Sequence, residues 1–183
     1  MSMDLADFED AVFGGGLPEA AQRRLQDAGR LRGSDPQAAL LLLEQARTLA
    51  PQHPATLIAL YRFHFYGHRL REARSVAERS LALGAQTLGL GGHWRDTPPV
   101  PMGGARFDPA TRFFLFALKG YAYLSLRIGD TDAARPALTL LKALDPDDRV
   151  GGALLGEVLA RAESGLDDDA CEDAMCVDGG TVR

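Results

Sequence analysis

A chain of 183 residues, 46% hydrophobic and 25% charged, has the composition of a globular protein, and its length suits one domain with one core. No uninterrupted apolar run approaches the roughly 20 residues needed to cross a bilayer, which excludes a membrane-spanning role. The formal charge of −5 sits at one end: residues 165–183 hold Asp167, Asp168, Asp169, Glu172, Asp173 and Asp178 against Arg183 alone, the remainder sums to zero, and nucleic acid is thereby disfavoured as the main partner.

In chain order, the first predicted helix covers about residues 4–13, with Leu5, Phe8, Val12 and Phe13 on one face and a Gly14-Gly15-Gly16 hinge behind it. It reads as an end cap for a helical stack, with a mobile arm as the alternative. Asp4, Asp7, Glu9 and Asp10 without any base in the first ten residues do not make the basic start of a secretory signal, so a cytoplasmic setting is expected. Further helices are predicted at about 18–31, 36–49, 54–66, 70–83, 110–127, 131–144 and 148–163. Caps or prolines open several of them, at Leu17-Pro18, Ser34-Asp35-Pro36, His53-Pro54 and Asp108-Pro109.

Between the helices ending at 83 and starting at 110, a long loop (86–109) contains Gly89, Gly91, Gly92, Pro98, Pro99, Pro101, Gly103 and Gly104, too many breakers for a regular helix. Loops of this length are often functional. This one carries the only tryptophan, Trp94, beside His93 and Arg95, so Trp94 is expected to flank a binding surface. From residue 165 onward the chain is acidic and poor in large apolar side chains, and a disordered tail is expected. The division is then an N-terminal helix and hinge (1–16), a helical domain (17–164) and an acidic tail (165–183).

The helical domain repeats itself at a spacing of 34 residues: Gly33 recurs as Gly67, Ala39 as Ala73, Leu43 as Ala77 and Ala46 as Ser80. A third copy, Ala134, Leu138, Leu141 and Pro146, reproduces the spacing of Ala39, Leu43, Ala46 and Pro51 at an offset of 95, with its glycine, Gly129, one position late. That offset exceeds two repeats by 27, and an insertion at residues 86–110 supplies the difference. These residues resemble the tetratricopeptide repeat (TPR) family, and the segment Tyr123-Leu124-Ser125-Leu126-Arg127-Ile128-Gly129-Asp130 through Leu144-Asp145-Pro146 carries the likeness best. Small residues at the repeated sites let neighbouring helices approach closely. The resemblance covers about residues 34–85 and 112–164 and implies an all-α solenoid of about three antiparallel helix pairs. The family's Trp and Leu-Gly pair are absent, and Ala85 stands where the second unit's closing proline would be.

In that family the inner helix of each pair lines a concave surface that holds ligands. Carried onto this sequence, the ligand-facing positions are Ala21, Arg24, Ala28, Leu31 and Arg32, then Ala55, Ile58, Arg62, Phe65 and Tyr66, then Phe116, Lys119, Tyr123, Leu126 and Arg127. The set contains five cations (Arg24, Arg32, Arg62, Lys119, Arg127), the aromatic residues Phe65, Tyr66, Phe116 and Tyr123, and no acid. The resemblance therefore implies a groove for an acidic, apolar segment of a protein or peptide partner, with arginines clamping carboxylates and rings receiving apolar groups. The alternative is that Phe65, Phe116 and Tyr123 pack between units while the arginines are solvated. The chain contains no Asn, so the family's Asn-based clamp for a terminal carboxylate is missing.

Enzymatic constellations are weak, and neither catalysis nor a cofactor is expected. His64 and His68 have the spacing of a helical metal pair, but His68 follows the Gly67 turn, and a partly buried or capping histidine is the competing reading. Gly14-Gly15-Gly16 lacks the Lys-Ser/Thr that completes a phosphate loop. Cys171 and Cys176 both lie in the tail, so no disulfide framework staples the domain. They are candidate ligands for a soft metal or a redox pair, although the surrounding carboxylates would raise their thiol pKa values.

The leading expectation is an adaptor or assembly chaperone, with the acidic tail folding back onto the basic groove as a competing ligand. In length and N-terminal helix the chain also resembles the compact three-repeat chaperones of type III secretion. The segment Leu57-Ile58-Ala59-Leu60-Tyr61-Arg62-Phe63-His64-Phe65-Tyr66 is similar to one in short proteins that accompany bacterial nitrogen-fixation systems, implying a metalloenzyme under assembly as the client. The alternative from a different class is a metal or redox carrier using Cys171, Cys176 and His93. The residues indicate no oligomeric state.

Overall fold

The computed structural model describes residues 16–91, 93–102 and 109–164. Among them the chain is all-helical: α1 (Glu19–Leu31), α2 (Pro36–Leu49), α3 (Pro54–Tyr66), α4 (Leu70–Thr87), a 3-10 turn (Trp94–Asp96), α5 (Pro109–Arg127), α6 (Thr131–Leu144) and α7 (Ala153–Ser164). The predicted first helix, the 103–108 part of the long loop, and the tail with Cys171 and Cys176 lie outside the described residues.

Local chemistry sets the helix ends. The Asp35 carboxylate accepts from the Ala38 N–H at 2.9 Å, and Pro36 occupies the first turn of α2, where its missing N–H leaves nothing unsatisfied. At α3, His53 Nδ1 accepts from the Ala55 N–H at 3.3 Å ahead of Pro54. Asp130 caps α6 by accepting from the Ala133 N–H at 3.0 Å, and its other oxygen receives Arg74 of α4 at 2.6 Å.

Two boundaries differ from the sequence expectation. The helix predicted to stop at 83 continues to Thr87, with Gly84 buried inside it. A Cβ on Gly84 would lie 3.1 Å from the Phe114 Cβ, so this glycine marks the close approach of α5, not a helix end. The helix predicted from 148 starts at Ala153, because Asp148 (φ 51°) and Gly151 (φ 72°) turn the chain first. The Asp148 carboxylate then accepts from the Gly152 and Ala153 N–H groups at the mouth of α7.

Connections of three or four residues join α1 to α2, α2 to α3, α3 to α4 and α5 to α6, which folds sequential helices back on one another. Across the insertion α4 packs along α5. Positions equated by the 34-residue spacing and its third copy are buried alike: Ala39, Ala73 and Ala134 are fully buried, as are Leu43, Ala77 and Leu138, and Ala46, Ser80 and Leu141, to within a few percent. The core forms two clusters. One joins α1, α2 and α3 with Val76, and the other joins α4, α5, α6 and α7 through Leu81, Phe114, Leu118, Leu124, Leu141 and Leu155. Tyr61 of α3 packs against both.

Trp94 corrects the sequence expectation. Far from flanking a surface, it is 2% exposed, with its ring 5.5 Å from that of Tyr121 on α5. The Arg95 guanidinium covers the indole at 4.3 Å, and the loop is further held where the Met102 N–H donates to the Leu144 carbonyl at 2.8 Å. An indole offers about 150–250 Å² of apolar surface, so at about 25 cal/mol/Å² its burial contributes about 4–6 kcal/mol. A Gly- and Pro-rich loop can follow the surface closely enough to deliver that ring to the core.

Candidate functional site

A groove of about 470 Å³ runs between α3 and α5, floored by α4. It exists because the two helices stay apart: no Cα of α3 comes within 8 Å of one in α5, while α4 packs on both. Aromatic rings bridge the gap. Tyr61 stacks on Phe65 (5.7 Å, 11°), Phe65 meets Tyr66 edge-on at 5.3 Å, and Phe65 contacts Tyr123 of α5 at 5.9 Å. Opposite Tyr61, Gly120 leaves room for the phenol: a Cβ there would lie 3.1 Å from the hydroxyl oxygen. Burial, reinforced by Tyr123 and Tyr66, pushes the Tyr61 pKa up to about 12, so the phenol stays neutral at physiological pH.

Six of the ten residues expected at a binding surface line this groove: Arg62, Phe65 and Tyr66 from α3, and Phe116, Lys119 and Tyr123 from α5. Tyr66 and Phe116 are large hydrophobic side chains left 58% and 45% exposed, and Arg62 is exposed beside them. Arg32 stacks over the Tyr66 ring at 4.8 Å, which places it at the rim. Arg127 donates to the Tyr123 hydroxyl at 2.6 Å from the last residue of α5 and is not among the lining residues. Arg24 is exposed on α1 and is not among the lining residues, and Trp94 is buried away from the groove.

No acid is among the groove's lining residues. Arg23, Arg30, Arg47, Arg74, Arg135 and Arg149 all pair with carboxylates elsewhere, whereas Arg62 and Lys119 have no ion pair among the described residues. Lys119 instead donates to the Val150 carbonyl at 2.7 Å, which fixes its position without neutralising it. The result is a concave, aromatic surface with fixed positive charge at its edge, suited to carboxylates interspersed with apolar side chains.

Of the remaining lining residues, Ile58 was among the ligand-facing positions that the resemblance implied, whereas Tyr61, Ala77, Ser80, Phe113, Ala117 and Gly120 were not expected. Their signal is present in the spacing: Phe113, Ala117 and Gly120 share a helical face with Phe116, and Tyr61 lies one turn before Phe65. The histidines do not assemble. His64 is 8% exposed on α3, and burial, with the Arg69 charge second, lowers its pKa. His68 sits exposed in the following turn at φ 55°. Among the described residues no group of three or more His, Cys, Asp or Glu is placed to hold a metal ion, and no helix is long and apolar enough to cross a membrane.

No family model and no solved structure matches the chain. Over 160 residues, covering 86% of this chain and 89% of the relative, it is 36% identical to a protein of Azotobacter chroococcum mcd 1 named "Uncharacterized 19.8 kDa protein in nifW 5'region". A match of that length takes in most of the chain. At that identity and coverage, the chain belongs to the same family as the Azotobacter protein.

Proposed function

We propose that this chain is a TPR-like adaptor or assembly chaperone that holds an acidic, apolar segment of a partner protein in the α3–α5 groove. The observation that carries this reading is the groove's lining: exposed Tyr66 and Phe116 beside Arg62 and Lys119, with no acid among the residues around them. A soluble surface rarely leaves clustered aromatic rings in water unless something covers them. Uniform burial at the repeat positions, with alanine at all three of Ala39, Ala73 and Ala134, supports the solenoid arrangement, in which inner helices α1, α3 and α5 face a common side. The role is binding and not catalysis, in the cytoplasm.

The relative's name supports a place near nitrogen fixation, and the client is then a metalloenzyme component under assembly. A fluorescent acidic amphipathic peptide, with Leu and Phe along one helical face, tests the groove by anisotropy. Binding is expected to the wild-type chain and to be lost in Arg62→Glu with Phe116→Ala, two exposed positions whose change leaves the core intact. Equal binding to both proteins would refute the groove as the site. Affinity capture from nitrogen-fixing cells with the same pair of baits then identifies the client.

A further inference from the structure

The last described helix, α7, has two apolar sides, and only one of them is covered. Leu155 and Leu159 are buried in the cluster shared with α5 and α6, and Arg135 of α6 holds the far end of α7 through Glu163 at 2.7 Å. About a quarter-turn round the helix, Leu154, Val158 and Ala162 follow one another at i, i+4 and i+8. All three are exposed, Leu154 to 66% and Val158 to 42%. The first described helix, α1, has the opposite character: Glu19, Arg23, Arg24, Gln26 and Arg30 face solvent, and none of its exposed positions holds a large apolar side chain. The end helix of a stack needs a polar outer face to stay soluble alone. α1 meets that condition and α7 does not.

The charges beside the stripe indicate what covers it. Glu157 and Arg161 run along one of its edges, both exposed. They are one turn apart, the spacing of an intrahelical pair, yet among the described residues neither forms an ion pair. When a two-fold axis relates two antiparallel helices, the same edge of each meets the other, so a surface of this kind must complement itself. This one does. With Val158 on the axis, Leu154 lies against Ala162 of the second copy, and Glu157 falls two residues, about 3 Å along the helix, from the second copy's Arg161. By symmetry the charge contact forms twice. We propose that α7 pairs antiparallel with α7 of a second copy of this chain, through Leu154, Val158 and Ala162, with Glu157 of each copy facing Arg161 of the other.

Residues 165–183 would make a poorer cover, since they offer Leu166, Met175 and Val177 as sizeable apolar side chains against six acids and one base. No residue of α7 lines the α3–α5 groove, so pairing of copies and capture of a partner segment are separate properties. A contact centred on one helix of 12 residues, about 18 Å long, is at the small end of specific interfaces, and a reversible dimer with a Kd on the order of 10 µM is expected.

Sedimentation equilibrium of the full chain, from well below to well above that Kd, tests the pairing. The mean mass of the wild type is expected to rise from 19.7 kDa toward twice that value. Val158→Asp sets two carboxylates face to face on the axis and is expected to remain at 19.7 kDa throughout, with its circular dichroism unchanged. Glu157→Arg and Arg161→Glu each bring like charges together and are expected to weaken association about tenfold, whereas an equimolar mixture of the two recovers the wild-type affinity, because every cation then meets a carboxylate across the axis. A wild type that stays monomeric overturns the proposal and leaves the stripe to another protein or to residues 165–183. Self-association that Val158→Asp does not change also overturns it, by placing the contact elsewhere, and so does a mixture that associates no more tightly than either single variant. Val158→Asp is expected to bind the acidic amphipathic peptide as the wild type does, so failure of the dimer and failure of the groove are read apart.

Discussion

Replacing Trp94 by Ala separates the buried role of this residue from the surface role its loop suggested. The side chain is 2% exposed and its ring rests 5.5 Å from Tyr121, so truncation opens a cavity between the loop and α5. Buried Trp-to-Ala changes cost about 3–5 kcal/mol. In a chain of this size each kcal/mol lowers Tm by about 2–4 °C, which gives a fall of about 6–20 °C. Circular dichroism at 222 nm follows the melt without needing the lost fluorophore. Trp94→Phe, which keeps an aromatic ring against Tyr121, is expected to lose less than half as much. Below the melt, Trp94→Ala is expected to bind the acidic amphipathic peptide as wild type does. Unchanged stability with lost binding would refute the burial argument and return Trp94 to the interaction surface.

Other consequences follow from single contacts. Gly84→Val pushes a branched side chain into Phe114, whose Cβ is 3.1 Å from where the new Cβ would sit, and is expected to destabilise by about 1–3 kcal/mol in urea titrations, because α4 and α5 cannot separate freely. Asp130→Ala removes the α6 cap and the Arg74 partner, with an expected loss of about 0.5–2 kcal/mol from the cap alone by the same titration. The Asp130 pKa is lowered, chiefly by the hydrogen bond from Arg74, so its contribution is present above the unfolded value of 3.8 and fades as pH falls below it. His53 and His64 are both shifted below 6.5 by burial, so the folded state binds their protons less readily than the unfolded chain does. Stability is therefore full above pH 6.5 and declines as pH falls through that value, and melts at stepped pH are expected to show a shallower decline in His64→Gln.

Much of the fold was legible because its signals are local. Asp35-Pro36 and His53-Pro54 announce helix starts through capping chemistry, and the structure begins α2 and α3 at those prolines. The 34-residue recurrence of Ala39 at Ala73, and its third copy at Ala134, marked sites that are all fully buried. What the sequence hid depends on distant neighbours. Gly84 looks like a helix breaker until Phe114, thirty residues later, is seen pressed against it. Trp94 sits among glycines and prolines that suggest an exposed loop, and only the position of Tyr121 reveals where the indole goes. At the groove, the lining residues Arg62, Phe65, Tyr66, Phe116, Lys119 and Tyr123 of α3 and α5 were reached through the tetratricopeptide resemblance, which implied which helix positions face a ligand. The groove's floor and width could not be reached that way, since Ala77 and Ser80 come from α4 and the gap depends on how far α3 stands from α5.

The most direct measurement is a backbone amide NMR titration of the full chain with the acidic amphipathic peptide, at low and moderate salt. Saturable shifts clustered at Arg62, Phe65, Tyr66, Phe116, Lys119 and Tyr123, weakening with salt, are the expected result. Shifts clustered on the outer faces of α2, α4 or α6, with these six residues silent, would contradict a groove that receives its partner between α3 and α5.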